Sequence, residues 1–240
     1  MRLDKFLALQ GLGTRSETRA LIHAGRICVD GRTEKNGGQA IHAETAAVTL
    51  DGEALHYRAA LHVMLNKPAG FLTAAEDSRH RTVMELLPPY ASAMGCMPVG
   101  RLDLDTEGLL LLTTDGRLAH RLLSPKRHVD KLYEADVDAA LCEADVAAFQ
   151  AGLMLSDFRA MPAKLVILPG DMCGRVTVQE GKFHQVKRMF QACGKRVTRL
   201  KRLSFGGLWL DEELQPGQWR ALREDELQTL QDAVGGETNG

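Results

Sequence analysis

Gly100-Arg101-Leu102-Asp103-Leu104-Asp105-Thr106-Glu107-Gly108 runs directly into Leu109-Leu110-Leu111-Leu112-Thr113. Four leucines in a row, preceded by Gly108 and followed by Asp115-Gly116, predict a short buried strand. Asp103, Asp105 and Glu107 stand just ahead of it. Asp103, Asp105 and Gly108 fall at positions 1, 3 and 6 of a calcium loop, but position 12 is Thr114 and leucines fill ligand positions, which excludes an EF-hand. A polar loop before a core strand is the commoner fate of such a stretch. Against it stands Asp103, between Leu102 and Leu104 and beside Arg101. A carboxylate in partly apolar company needs a cationic partner or a raised pKa.

Outward from this strand, Leu61 to Leu65, Lys131 to Val137, Lys164 to Leu168, Arg175 to Gln179, Val197 to Phe205 and Trp219 to Leu222 also read as strands. Helical patterns cover Thr82 to Leu87, Arg117 to Leu123, Ala144 to Ala151, His184 to Ala192 and Glu224 to Val234. Asn66-Lys67-Pro68-Ala69-Gly70 reads as a turn. Strands come in runs and helices are dispersed, which predicts an α+β fold with a mixed, mainly antiparallel sheet and flanking helices. Ahead of it, Leu3, Phe6, Leu7 and Leu9 form a helical stripe. Thr14 or Ser16 caps a second helix with Glu17 in its first turn, and two short strands follow, each ending in Asp-Gly. The expected organisation is a small unit at 1–58, a larger domain at 59–234 and a flexible tail at 235–240.

The 240 residues are 45% hydrophobic and 25% charged, an ordinary globular composition that excludes wholesale disorder and fits one large or two smaller domains. The net charge of −1 conceals an uneven distribution. Residues 181–202 carry eight Lys/Arg and no acid, 116–133 carry five against one, and 211–240 carry eight acids against two Arg. Such stripes raise the odds of a phosphate-binding surface. Five scattered cysteines lack any Cys-x-x-Cys pair, and the eight histidines lack zinc-ligand spacing, so no metal is expected. No apolar run approaches the length of a membrane span, and Met1-Arg2-Leu3-Asp4-Lys5 contains no signal-like apolar region. The expectation is a cytoplasmic protein with reduced thiols, no membrane partner and a monomeric state.

Two more segments carry chemistry. Glu180-Gly181-Lys182-Phe183-His184-Gln185-Val186-Lys187-Arg188-Met189-Phe190 is a glycine turn into a helix whose core face is Val186, Met189 and Phe190. It is not a P-loop, because the upstream glycine is missing and Phe183 replaces Ser/Thr. Its first residues suit phosphate or base-edge contacts. By periodicity alone Lys187 is more often a surface lysine than a catalytic partner. In Pro125-Lys126-Arg127-His128-Val129-Asp130-Lys131-Leu132-Tyr133, Lys131 and Tyr133 share one strand face. Tyr133 is most often a core tyrosine, though in a pocket it can stack on a base.

Three blocks together resemble the pseudouridine synthases of the RsuA branch: Leu65-Asn66-Lys67-Pro68-Ala69-Gly70, then Gly100-Arg101-Leu102-Asp103 with Thr106 and Gly108-Leu109-Leu110-Leu111, then Gly181-Lys182-Phe183-His184-Gln185-Val186-Lys187-Arg188-Met189. Order and spacing match over about residues 1–233, and the first 58 residues resemble the alpha-L RNA-binding domain first described in a ribosomal protein. The resemblance implies isomerisation of uridine to pseudouridine in ribosomal RNA, or in a partly assembled subunit, without cofactor or metal. Asp103 matches the essential aspartate, Tyr133 the tyrosine that stacks on the extruded uracil, and Lys187 the basic partner that would hold Asp103 ionised and aimed. Arg101 would fill the gap left by the flipped nucleotide. Lys67, Lys182, His184, Gln185 and Arg188, with Arg2, Lys5, Arg15, Arg19 and Arg26 of the first unit, are the implied RNA contacts. The pattern favours the small-subunit (16S) type. The alternatives are a large-subunit (23S) enzyme of the same branch and a non-catalytic ribosome-assembly protein.

Overall fold

The structure is a computed structural model and describes residues 1–55, 57 and 60–235. The expected boundary at residues 58 and 59, and all of the expected tail at 235–240 except Gly235, lie outside the described residues. The described chain divides into two units. The first is Met1–Leu61 with Leu87–Met97 and Thr113–Asp115; the second is His62–Leu86, Pro98–Leu112 and the chain from Gly116 onward.

In the first unit, α1 (Leu3–Leu9) and α2 (Arg15–His23) precede β1 (Ile27–Val29), β2 (Arg32–Thr33), β3 (Val48–Leu50) and β4 (Glu53–Leu55). The strands form a sheet in the order β2-β1-β3-β4. Thr14 caps α2: its Oγ1 accepts from the Glu17 amide at 3.3 Å, while the Glu17 carboxylate accepts from the Thr14 amide at 2.6 Å. This reciprocal box satisfies two amides that the helix start would otherwise leave bare. Leu3, Phe6, Leu7, Ile22, Ile27, Ile41 and Val48 pack as the core. Asp4 is buried at the helix junction, where Arg19 Nε lies 2.9 Å from one carboxylate oxygen and Arg2 grips both.

The second unit is built on β5 (His62–Lys67) and a 3-10 turn (Val83–Leu86); next in the chain come α3 (Pro89–Ala93), which falls in the first unit, and β6 (Met97–Pro98), at the division between them. Then come β7 (Glu107–Thr113), α4 (Gly116–Leu123), a second 3-10 turn (Pro125–Arg127), β8 (Lys131–Val137), α5 (Glu143–Ala151), β9 (Lys164–Ile167) and β10 (Cys173–Val178). The chain continues through α6 (Gln185–Ala192), β11 (Val197–Phe205), β12 (Leu208–Trp209), β13 (Trp219–Ala221) and α7 (Glu224–Val234). The main sheet runs β13-β5-β7-β11-β8-β10-β9. β7 and β11 are parallel, whereas β8 is antiparallel to both β10 and β11. Leu109, Leu110, Leu111 and Leu112 are all buried, and Leu109 and Leu111 share a core cluster with Leu118 and Leu122 of α4 and Leu230 and Val234 of α7. Each such leucine contributes about 1.5–3 kcal/mol of burial.

Three sequence expectations need adjusting. Asn66 and Lys67 are strand residues, and the turn begins only at Pro68. The Asn66 backbone is engaged on both sides by the segment leading into the neighbouring strand, its N donating to Gln218 O at 3.0 Å and its O accepting from Gly217 N at 2.7 Å. Leu104 lies 40% exposed, so only Leu102 gives Asp103 an apolar flank. Finally, the helical pattern at residues 82–87 is a single 3-10 turn, cut short by the proline pair that follows.

Candidate active site

The loop from Gly100 to Thr106 is held through its backbone carbonyls by donors from the segment 67–73. Thr73 Oγ1 donates to Leu102 O at 2.9 Å, and Gly70 N donates to Leu104 O at 2.8 Å. Lys67 sits beneath the loop, fully buried. Its ammonium donates to the carbonyls of Asp103 (3.1 Å), Leu104 (3.3 Å), Thr106 (2.8 Å) and Pro68 (3.1 Å). Burial pushes the Lys67 pKa down to about 8, opposed by the carboxylates of Asp105, Asp103 and Glu107. The expected phosphate contact at Lys67 is therefore corrected: a fully enclosed lysine with carbonyl acceptors around it shapes the loop and cannot reach RNA.

The loop presents Asp103 to α6. Val186, Met189 and Phe190 anchor that helix in the interior, and Phe190 packs on Phe149 of α5 at 4.9 Å between ring centres. Helical spacing then projects Lys187 the other way. Its ammonium lies 3.2 Å from Asp103 Oδ2 and 2.5 Å from Asp105 Oδ1. Burial pushes the Asp105 carboxyl up more than any single partner pulls it down, but the hydrogen bond and charge of Lys187, with smaller help from His184, together leave the group below its ordinary range. His184, at the start of α6 with φ of 50°, turns its Nε2 to 3.6 Å from Asp103 Oδ1. Asp103 is thus flanked by a cation on one oxygen and an imidazole near the other. The sequence marks His184 only for RNA contact and weighs Asp105 only as a calcium-loop position, with no role beside Asp103. The spacing of Asp103, Asp105 and Glu107 was the available signal, since residues two apart share one side of an extended segment.

Tyr133 comes from β8, where Lys131, Tyr133, Ala135 and Val137 face inward. With Arg101, Leu102, Asp103, His184 and Val186 it lines one small cavity of about 50 Å³. Arg101 is exposed at its edge.

The other expected RNA contacts sort into two kinds. Lys182 is exposed, 3.6 Å from Glu180 and over the Phe158 ring at 3.7 Å. Gln185 is buried, accepts from Lys182 N at 3.0 Å and donates to Glu180 at 2.7 Å, which corrects its assignment to RNA: both ends of its amide are engaged inside the protein. Arg188 is mostly covered and bonded to Asp157 and to Ser156 Oγ, so it too is held by the protein. In the first unit Arg2, Lys5, Arg15, Arg19 and Arg26 are all exposed. Arg2 and Arg19 share Asp4, and Arg26 pairs with Asp51. Lys5 and Arg15 have no ion-pair partner among the described residues. Among those residues no group of three or more His, Cys, Asp or Glu is arranged to hold a metal, and no helix is long and apolar enough to cross a membrane.

A family model described as RNA pseudouridylate synthase matches residues 61–192, the span that holds Asp103, Tyr133 and Lys187. The chain belongs to the RNA pseudouridine synthase family. An S4 domain model matches residues 1–45 of the same chain. An uncharacterized RNA pseudouridine synthase of Bacillus subtilis, YtzG, is 45% identical over 96% of this chain and 98% of its own length. The ribosomal small subunit pseudouridine synthase A of Salmonella typhimurium is 39% identical over 96% of this chain and all of its own, and that of Escherichia coli K12 is 37% identical over the same spans. A pseudouridylate synthase crystal structure superposes with a TM-score of 0.67 at 35% identity, covering 96% of this chain and 99% of the other. The α+β fold with its N-terminal S4 domain is therefore that of a pseudouridine synthase, an isomerase.

Proposed function

We propose that this synthase converts a uridine of small-subunit ribosomal RNA to pseudouridine, with Asp103 as the catalytic carboxylate. The observation that carries the reading is the Asp103–Lys187 pair, 3.2 Å apart, at a cavity that Tyr133 also lines. The ribosomal target is supported by the full-length likeness to two small-subunit enzymes. A cytoplasmic setting, on naked RNA or a partly assembled subunit, follows from that substrate.

The chemistry needs one well-placed carboxylate. The N1–C1′ bond breaks, the uracil turns over, a C5–C1′ bond forms, and the proton on C5 leaves as N1 gains one. Two routes fit an ionised Asp103. In one it bonds to C1′ and later departs, as in retaining glycosidases. In the other it removes the C2′ proton to give a glycal, which is then reprotonated. In both, the uridine first leaves its stack. Tyr133 then stacks on the uracil, Lys187 keeps Asp103 aimed, and Leu102, Val186 and Leu200 limit water around a base that must not diffuse away. The residues supply acid, base and shape without a cofactor.

The test uses ribosomal RNA tritiated at uracil C5. The enzyme is expected to release tritium while the chain stays intact and no free uracil appears. Asp103→Asn is expected to abolish release, by at least about 1,000-fold, and to keep RNA binding. Release by that variant at the wild-type rate would overturn the assignment. Binding without release by the wild type would make the protein a non-catalytic assembly factor. Mapping pseudouridines in cells lacking the protein should show one missing site in the small-subunit RNA; a loss in the large-subunit RNA would move the target there.

A further inference from the structure

Strand alternation that turns Tyr133 inward does the same for Lys131, leaving it 9% exposed. In the neighbouring strand Arg202 pairs across from Tyr133, and Phe205 from Lys131. Both cations therefore meet one aromatic ring: Lys131 Nζ lies 5.4 Å and the Arg202 guanidinium 5.0 Å from the Phe205 centre. Lys131 donates to Val129 O at 2.9 Å and Arg202 Nε to Leu109 O at 2.7 Å. Arg202 Nη2 is buried with no hydrogen-bond partner among the described residues. Neither cation has a carboxylate at ion-pair distance among those residues. The nearest acids are committed elsewhere: Asp130 accepts from Gln179, and Glu180 from Gln185 and Met161 N, with Lys182 close by. Burial, with Arg202 adding to it, pushes the Lys131 pKa down to about 8. Two buried cations without a counter-charge are costly unless an anion joins them.

Both line a cavity of about 260 Å³, and this cavity shares Arg101, Tyr133, Glu180 and Gly181 with the one that holds Asp103. Arg101 and Lys182 add two further cations to its wall, against the single carboxylate of Glu180. We propose that this second cavity takes a phosphate of the RNA strand next to the flipped uridine, with Lys131 as its ligand and Arg202 as the fixed charge behind. The site rests on the reading of the protein as an RNA isomerase and adds to it a register point for the strand. Gly181 is the gate. A Cβ there would find only Lys131 Cε, at 3.8 Å, so a larger side chain fills the space without backbone strain.

The experiment is equilibrium binding to a small-subunit ribosomal RNA fragment containing the mapped uridine. The fragment is made with natural linkages, or with one neutral methylphosphonate on the 5′ or 3′ side of that uridine. The wild type is expected to lose about tenfold in affinity for one of the two neutral RNAs, the worth of a charge-assisted hydrogen bond. Lys131→Met should lose the same tenfold on natural RNA and nothing more on that neutral RNA. Gly181→Val, which leaves both cations in place, should behave likewise. Losses that multiply in both variants would make the cations purely structural and end the proposal. Saturable, Lys131-dependent binding of inorganic phosphate with multiplying RNA losses would assign the cavity to a free anion and equally overturn it. Failure of the isomerase reading is a separate result, since it is seen as absent tritium release.

Discussion

Lys67 and Lys187 do opposite work around one aspartate. Lys187 meets the carboxylates from the accessible side, while Lys67 holds the backbone of the same loop from below. Lys67→Met should therefore cost about 2–4 kcal/mol of stability in urea unfolding, because several buried carbonyls lose their donor at once. RNA affinity should change little, since the lysine does not reach the surface. A phosphate contact would give the reverse pattern. Motif content made Asp103 conspicuous in the sequence, and the resemblance promoted Lys187 from a surface lysine to its partner. Lys67 was misplaced because Asn-Lys-Pro carries the composition of a turn. The uninterrupted apolar run Val63-Met64-Leu65 was the better guide, since a strand buried on both faces can continue through polar residues that find internal acceptors. Gln185 escaped for a related reason: nothing in its identity announces that both ends of its amide are spoken for.

At the scale of elements, the parallel pairing of β7 with β11 depends on Gly108. It has φ of 97°, and a Cβ there would come within 2.3 Å of Arg202 O. Gly108→Ala should lower stability by at least about 3 kcal/mol or abolish folding, measured by urea denaturation. A loss under about 1 kcal/mol would mean that the strands can separate locally. The helix pair of the first unit makes a pH-dependent prediction. Hydrogen bonding to Arg2 foremost, with help from Arg19, holds buried Asp4 at about 2, below its ordinary 3.8. A carboxyl with a depressed folded pKa stabilises the native state above its unfolded value and loses that contribution as pH falls from about 4 toward 2. The wild type should lose ~1–2 kcal/mol across that window, and Asp4→Asn should flatten this part of the profile. Periodicity had located β8, β11 and α7, all of which are long enough to show a repeat. The two- and three-residue strands β2, β4, β6 and β12 carry no period to read and are set by their partners.

For the whole molecule, local charge counts proved a poor guide to surface charge. In the basic stripe of residues 181–202, Lys187, Arg188, Lys195, Arg196 and Arg199 all find acids distant in the sequence, and Arg202 is buried. RNA affinity should fall with salt, but with a log–log slope shallower than about −4, since eight free cations would give roughly −6. A flat profile would remove phosphate contacts from the binding account altogether. The order of strands in the sheet has a further consequence. β11 lies between β7 and β8 yet is made about 60 residues after β8, several seconds at ribosomal speed. Until then the nascent chain carries two raw strand edges and no template for its site. Chains that stall before Val197 should aggregate and show no turnover, so the cell gains nothing from a partly translated copy and has reason to shelter it with chaperones.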